Sequence, residues 1–161
     1  MRRVEVGAHI PDVTAETVFD NIVRFERYPS LAPHVQSVKV SQTVPGPAGA
    51  SAWELHFRSG LLRWSEQETF LRDELRLEFG QTHGDFDSFS GHWTFEPDGG
   101  GVTVRFQADF DFGIPSMEGI LDPIAERVIK ETVAWAIAGM FGQAQIAGDL
   151  DPVAPADPEA R

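Results

Sequence analysis

The first thirty residues change from an alternating to a helical spacing of apolar side chains. Apolar residues occupy every second position over residues 4–10, which predicts a β-strand with one buried face. The apolar residues that follow recur at helical spacing and predict a helix over about residues 14–25, with Thr14 or Asp12 as its cap. We expect Tyr28-Pro29 to end this helix and a short second helical turn to follow.

The middle of the chain repeats with a period of two residues, interrupted by turn-forming segments. The segments 44–50 and 97–101, rich in glycine and proline, are predicted loops. Each strand has one apolar face, and these faces are rich in aromatic residues, so we expect an antiparallel meander with one buried side. The predicted strands cover about residues 35–43, 51–58, 61–72, 75–82, 88–97 and 101–112.

A long apolar helix is predicted near the end of the chain, over about residues 117–145. Because it is apolar over most of its circumference near its end, it must lie against the sheet. The segment 148–161 is acidic, rich in proline and free of aromatic residues, so we expect it to be disordered. The sequence therefore predicts one domain over residues 1–147 and a disordered tail.

Composition and charge limit the partners of the protein. The chain has 161 residues and no cysteine, which excludes a disulfide framework, a thiolate nucleophile and a thiolate metal site. Its formal charge of −12 disfavours nucleic acids and anionic lipid surfaces, so we expect a neutral small molecule as partner and no nucleic acid. The N-terminus lacks the apolar run of a signal peptide, and the longest apolar stretch, 133–142, is too short to cross a bilayer. We expect a cytoplasmic protein without membrane insertion.

The histidines and glycines do not form a metal or nucleotide motif. The five histidines lack the H-x-H and H-E-x-x-H spacings, and His9, His56 and His92 take outward positions on their strands. The glycine-rich stretch 98–101 connects two strands, which is typical of a hairpin turn and not of a phosphate-binding loop. We therefore predict no metal and no cofactor.

Four local patterns and the order of the elements resemble one protein superfamily. The patterns are Tyr28-Pro29 after the first helix, Trp64 on a central strand, Ser90-Gly91-His92-Trp93, and "GIPSMEGILDPIAERVI" at the start of the last helix. Over residues 3–145 the chain resembles the START-like, or SRPBCC, helix-grip superfamily, and within it the polyketide cyclase/dehydrase and quinone- or lipid-binding branch. The resemblance implies an α+β fold with a curved antiparallel sheet of about seven strands wrapped round a long C-terminal helix, and two short helices after strand 1. It also implies a mainly apolar cavity, for which we expect several hundred Å³.

Candidate ligand-binding residues come from this resemblance and from the inward aromatic face. Members of the superfamily hold hydrophobic ligands in the cavity, and the resemblance implies Trp64 and Trp93 as parts of its wall. Ordinary packing in a hydrophobic core is the alternative for most of the aromatic residues. His83 and Glu131 are further candidates to complete a site. The predicted substrate-binding residues are Tyr28, Trp53, Trp64, Gln81, Phe89, Trp93, Phe106 and Trp135.

The stretch "LLRWSEQETF", residues 61–70, places two carboxyl groups on the aromatic face. Because side chains alternate along a strand, Glu66 and Glu68 point to the same side as Trp64. Two charges about 6.5 Å apart repel by about 2.5 kcal/mol at an effective dielectric of about 20, so double ionisation is disfavoured. One protonated and one ionised carboxyl are the acid and base that aldol cyclisation and dehydration require. Alternatively, a β-bulge or the cavity mouth turns the glutamates to water, or an arginine neutralises them.

The same stretch departs from the pattern of the aromatase/cyclases that it resembles. Those proteins commonly carry Trp-x-Ser-x-Arg on this strand, with the arginine polarising the substrate carbonyl, whereas Glu66 and Glu68 occupy the serine and arginine positions here. Our first hypothesis is a polyketide cyclase/dehydratase in which these glutamates act on a hydrophobic, carbonyl-rich small molecule. The second is a non-catalytic carrier of a quinone, lipid or polyketide, and the third is an interaction module of a larger complex. An acyl carrier protein is a candidate partner if the surface arginines form a basic patch.

Overall fold

The computed structural model describes residues 1–41 and 47–147, which form an antiparallel sheet and three α-helices. The strands are β1 (Arg2–Ile10), β2 (Val35–Ser41), β3 (Ala48–Phe57), β4 (Gly60–Leu71), β5 (Arg76–Gly84), β6 (Ser88–Asp98), β7 (Gly101–Asp111) and β8 (Gln145–Ile146). The helices are α1 (Ala15–Ile22), α2 (Tyr28–Leu31) and α3 (Glu118–Met140), with 3₁₀ turns at Phe25–Arg27, Arg72–Glu74 and Pro115–Met117. The strand order is β2-β3-β4-β5-β6-β7-β1-β8. This is the predicted α+β helix-grip architecture, with eight described strands where the sequence predicted about seven.

Helix α3 covers the apolar face of the sheet. The residues Ala125, Ile129, Val133 and Ile137 follow one another at one-turn spacing and are all buried, so they define the inward side of the helix. They belong to one hydrophobic cluster with the inward side chains of the strands. The space between the sheet and α3 is therefore where a ligand cavity can form.

The first helix ends earlier than the sequence predicted. Thr14 is its N-cap, and the Thr14 hydroxyl accepts from the Thr17 amide at 3.2 Å. Helix α1 stops at Ile22 and not near residue 25, and the Tyr28 hydroxyl donates to the Ile22 carbonyl at 2.8 Å. This hydrogen bond satisfies one of the carbonyl groups that a helix end leaves free. Tyr28-Pro29 begins α2, whereas we expected it only to end the first helix. Proline is tolerated in the first turn of a helix because the amide groups there have no hydrogen-bond partner within the helix.

The last helix is also shorter than predicted. It ends at Met140, where the prediction ended it near residue 145, and Phe141 already has an extended backbone. The chain then turns and forms β8, whose Gln145–Ile146 segment pairs with β1. This pairing covers part of a strand edge that would otherwise leave its amide and carbonyl groups free. The predicted disorder of residues 148–161 lies outside the described residues.

The meander agrees with the predicted strands to within a few residues at most boundaries. One difference is that the predicted 44–50 loop is shorter, because residues 48–50 already belong to β3. Residues 42–46, which include the end of the first predicted meander strand, lie outside the described part. Strands β3 and β4 pair in continuous register, which places Trp53 opposite Trp64 and Ser51 opposite Glu66. This register builds the centre of the candidate site.

Candidate functional site

An apolar cavity lies between the sheet and α3. Its volume is about 50 Å³, much smaller than the several hundred Å³ that we expected. The cavity is small because aromatic rings fill the space: Trp53 stacks on Trp64 with ring centres 5.9 Å apart, and Phe79 stacks on Phe106 at 5.7 Å. The lining residues are Phe25, Tyr28, Trp53, Leu55, Trp64, Glu66, Phe79, Phe89, Trp93, Phe106, Ile129, Thr132 and Val133.

Most of the predicted substrate-binding residues meet at this cavity, and two lie elsewhere. The Gln81 side chain donates to the Phe86 carbonyl at 3.0 Å and accepts from the Phe86 amide at 3.3 Å, so it holds the turn after β5. Trp135 is buried and packs its ring against His34 at 4.7 Å. Neither residue is among those described as lining the cavity. The predicted residues that line it are Tyr28, Trp53, Trp64, Phe89, Trp93 and Phe106.

Glu66 faces the cavity from β4 and is only 6% exposed. The Trp64 indole nitrogen donates to Glu66 Oε1 at 2.8 Å, which is possible because alternate residues of a strand lie on the same face. The pairing of β4 with β5 does shift register between Ser65 and Glu66, but this irregularity leaves Glu66 inside. Arg63 takes the outer face and bonds Glu54 at 2.8 Å, so it does not neutralise the buried carboxyl.

Glu68 lies next to Glu66 and is 2% exposed. The Ser51 hydroxyl, on the neighbouring strand β3, donates to Glu68 Oε2. The Ser51 oxygen in turn accepts from the Trp53 indole nitrogen at 2.8 Å. Two buried carboxyl groups are thus each held by a donor from the sheet, which offsets part of the free-energy cost of burying them.

The two carboxyl groups also bond each other, and this changes the proton affinity of Glu66. Burial, followed by the hydrogen bond with Glu68, raises the pKa of Glu66 well above its usual range. Glu66 therefore keeps its proton to a higher pH than an ordinary glutamate does. Burial likewise raises the pKa of the Tyr28 phenol, which stays neutral and keeps its hydroxyl on the Ile22 carbonyl.

A surface groove of about 680 Å³ lies on the other side of the carboxyl pair. Glu68 lines this groove, whereas Glu66 lines the internal cavity, and Phe25 lines both. Arg72 and Asp20 of α1 both line the groove, and Arg72 donates to both carboxylate oxygens of Asp20, at 2.8 and 2.9 Å. This hydrogen bonding from Arg72 lowers the pKa of Asp20. The carboxyl pair and Phe25 therefore separate a charged groove from an apolar cavity.

Several site residues were missed by the sequence analysis. Ser51 lies two positions before Trp53, so strand alternation carried the signal for its inward direction. Phe25 was assigned to the first helix and not to the site. Thr132 lines the cavity from α3, and its hydroxyl donates to the Val128 carbonyl at 2.7 Å. Helical spacing alone does not tell which of many apolar helix positions faces a cavity.

The described residues contain neither a side-chain cluster suited to a metal ion nor a membrane-spanning helix. Within residues 1–41 and 47–147, no group of three or more histidine, aspartate or glutamate side chains is placed to hold a metal ion. None of the described helices is both long and apolar enough to cross a membrane.

The sequence matches one family along most of its length. The model of the family described as polyketide cyclase/dehydrase and lipid transport matches residues 11–135. The chain therefore belongs to this family. Comparison with curated proteins gives no match.

Solved structures share the fold. A protein from Thermus thermophilus is 27% identical, with a TM-score of 0.76 over 86% of this chain and 94% of that one. The Zhui aromatase/cyclase from a Streptomyces species is 14% identical, with a TM-score of 0.72 over 86% and 92% of the two chains. A START superfamily protein from Mycobacterium smegmatis is 15% identical, with a TM-score of 0.70 over 88% and 97%. At such identities the last two show the helix-grip fold alone.

Proposed function

We propose that the protein is a cyclase/dehydratase that acts by acid–base catalysis on a hydrophobic, carbonyl-bearing small molecule of polyketide type. The observation that supports this most is the hydrogen-bonded pair of buried carboxyls, of which Glu66 lines the aromatic cavity and Glu68 lines the adjoining groove. Unequal proton affinity within such a pair supplies an acid and a base at the same pH. Membership of the polyketide cyclase/dehydrase family and the aromatase/cyclase neighbours agree with this chemistry. A cytoplasmic role in antibiotic biosynthesis is the matching expectation.

In this proposal, the pair carries one proton before and after each step. We propose that displacement of Phe25, which lines both spaces, lets the substrate reach Glu68 as well as Glu66. In cyclisation, Glu68 then takes a proton from the carbon next to one carbonyl, that carbon bonds to a second carbonyl carbon, and Glu66 gives its proton to the second oxygen. In dehydration, Glu68 takes the same kind of proton while Glu66 protonates the hydroxyl that leaves as water. Transfer of the proton from Glu68 to Glu66 through their hydrogen bond restores the starting state.

The ligand requires more space than the described cavity offers. Ligand pockets usually measure about 300 to 1,000 Å³, whereas this cavity measures about 50 Å³. Binding must therefore displace aromatic side chains or α3. Phe25 is a suitable side chain to move, because it lines both the cavity and the surface groove.

The test replaces each glutamate by its neutral isostere, as Glu66→Gln and Glu68→Gln. We expect either change to lower kcat by roughly 10²- to 10⁴-fold, the usual effect of losing a proton-transfer group. A panel of β-hydroxy aryl ketones serves as substrate, because their dehydration gives conjugated enones that are followed by absorbance. Glu54→Gln is the matched control, since Glu54 lies on the outer face and bonds Ser37 and Arg63. Full turnover in both site variants would remove the glutamates from the mechanism.

A second candidate function is a non-catalytic carrier of the same class of hydrophobic molecule. It is favoured by the lining of the cavity, in which no arginine, lysine or histidine is described. A carrier would show no turnover of any substrate in the panel, would bind the enones as well as the alcohols, and would retain a ligand detectable by mass spectrometry after purification. Delivery by an acyl carrier protein stays a prediction that applies to the catalytic proposal only.

A further inference from the structure

Ser51 lies on β3 beside the carboxyl pair, and its hydrogen bonds have one consistent direction. We propose that Ser51, oriented by Trp53, is a positioning residue that keeps Glu68 as the carboxylate and leaves the shared proton on Glu66. The importance of this placement for a reaction rests on the proposed function. The placement itself is a property of the folded protein and is tested without a substrate.

The direction of the hydrogen bonds follows from the donors that are present. An indole nitrogen only donates, so the Ser51 oxygen must accept from Trp53 Nε1 in their 2.8 Å contact. The Ser51 hydroxyl has a single hydrogen and is 3% exposed, so this hydrogen cannot turn to solvent. It points to Glu68 Oε2, the acceptor described for it. Glu68 is therefore an acceptor at this oxygen.

The remaining contacts favour charge on Glu68 over charge on Glu66. A hydrogen bond between two carboxyl groups requires that one of them carry a proton. A hydroxyl bond to an ionised carboxylate is stronger than one to a neutral carboxyl, so the Ser51 donor favours ionised Glu68. Glu68 is no more exposed than Glu66, but it lines a groove that also contains Arg24 and Arg72. Glu66 lines the apolar cavity, where an ionised group costs more free energy. Because Trp64 Nε1 donates to Glu66 Oε1, the other Glu66 oxygen is the one available to carry the proton in the hydrogen bond to Glu68.

Other groups around the pair do not replace Ser51. From α2, the Tyr28 hydroxyl donates to the Ile22 carbonyl, and from α3 the Thr132 hydroxyl donates to the Val128 carbonyl. Among the described residues, no ion pair or hydrogen bond joins Glu68 to a charged side chain of the groove, and its carboxyl partner Glu66 lines the cavity instead. Those charged groove residues are Asp20, Arg24, Glu26, Arg72, Asp73 and Glu74.

The experiment is a carbon-detected NMR titration of the glutamate carboxyls, in wild type and in Ser51→Ala. Because the alanine removes a donor from the ionised member, we expect the lower of the two apparent pKa values of the pair to rise by roughly one pH unit. The chemical-shift change should also be shared more evenly between Glu66 and Glu68. Ser51→Thr keeps the hydroxyl and should restore the wild-type titration. An unchanged titration in Ser51→Ala would overturn the proposal.

Two further variants make the result specific. Ser37→Ala removes another serine–glutamate bond, the 2.8 Å bond to Glu54 on the outer face, so it should raise the pKa of Glu54 and leave the pair unchanged. Trp53→Phe keeps an aromatic ring but removes the donor to Ser51, so it should shift the pair in the same direction as Ser51→Ala, by less. An equal shift of the pair in Ser37→Ala would contradict a local role of Ser51. If Ser51→Ala raises the lower apparent pKa of the pair as expected but the wild-type protein shows no turnover, only the catalytic proposal is overturned.

Discussion

At the scale of single residues, two carboxyl groups in an aromatic interior cost free energy that the fold must offset. Trp64 supplies a donor to Glu66, and the Ser51 hydroxyl supplies one to Glu68. The remaining bond, between the carboxyls themselves, forms only while one proton is shared. The stability of the protein is therefore linked to the protonation of Glu66.

Glu66→Gln should make the free energy of unfolding less dependent on pH. Below about pH 4, Glu66 is protonated in both the folded and unfolded states, so its ionisation costs nothing. Above the unfolded value of about 4.3, the unfolded chain releases the proton and the folded protein does not, so wild-type stability falls as pH rises towards the raised folded pKa. Urea denaturation at a series of pH values should show the variant gaining stability over wild type as the pH rises from about 4.3 towards the raised folded pKa. The glutamine fits, because its oxygen can accept from Trp64 while its nitrogen donates to Glu68.

Glu54→Gln is the opposite case and the control for this measurement. Hydrogen bonds from Ser37 and Arg63 lower the pKa of Glu54, so its stabilising contribution is present above the unfolded pKa and is lost as pH falls. The variant should be less stable than wild type at neutral pH, and the difference should shrink at low pH. A Glu66→Gln difference that does not change with pH would show that the carboxyl is ionised in both states.

The inward direction of both glutamates was predictable from the two-residue period of a strand. The proton placement was not, because it depends on Ser51, a small residue on another strand that the register brings opposite Glu66. Gln81 and Trp135 have suitable residue types but bond or pack elsewhere, to Phe86 and His34. Alternation along a strand predicts which face of the sheet a side chain points to, whereas the residues that it contacts depend on three-dimensional packing.

At the scale of elements, the strands were predicted well and the helix ends were not. Alternation is a strong signal where one face of a sheet is buried, which explains the agreement over β4 to β7. The end of α1 depends on a tertiary hydrogen bond, from Tyr28 to Ile22, and the end of α3 on the pairing of β8 with β1. The spacing of apolar residues along the sequence gives no information about either contact.

Gly91 is the point where β6 approaches β7 too closely for a side chain. A Cβ atom at this position would overlap the Gln107 carbonyl oxygen and lie 2.8 Å from the Ala108 Cα, both backbone atoms that cannot turn aside. Gly91→Ala should therefore lower the free energy of unfolding by roughly 3 kcal/mol or more, measured by urea denaturation. Gly60→Ala, at a strand position where a Cβ meets nothing within 4 Å, is the control and should change stability little. Equal effects of the two substitutions would mean that β6 and β7 are not in the described close contact.

At the scale of the whole molecule, the fold was predictable because the order of elements is distinctive. One strand, two short helices, a meander and a long helix suffice to indicate a helix grip, and the strand order agrees with it. The size of the cavity was not predictable, since it is the small difference between the space enclosed and the volume of the rings that fill it. Those rings leave about 50 Å³ in the described state.

A cavity of this size implies that ligand binding competes with the packing of the aromatic rings. If the open form is a minor population, affinity is reduced by the fraction that is open, and a variant that weakens the closed packing should bind more tightly. Phe106 lines the cavity and packs against Phe79 and Trp93, so Phe106→Leu should enlarge the space and favour opening.

Phe106→Leu should raise the affinity for 1-tetralone, a bicyclic aromatic ketone, by about three- to tenfold, as followed by quenching of tryptophan fluorescence. The matched control is Phe110→Leu, on the same strand and buried to the same side, but outside the residues described as lining the cavity. Both substitutions remove a buried ring of the same size, so both should lower the free energy of unfolding by roughly 1 to 2 kcal/mol. Only Phe106→Leu should improve binding, because only there does the lost volume join the cavity. Equal gains in both variants would show that general loosening of the interior admits the ketone, and unchanged affinity in both would place the ketone outside this cavity.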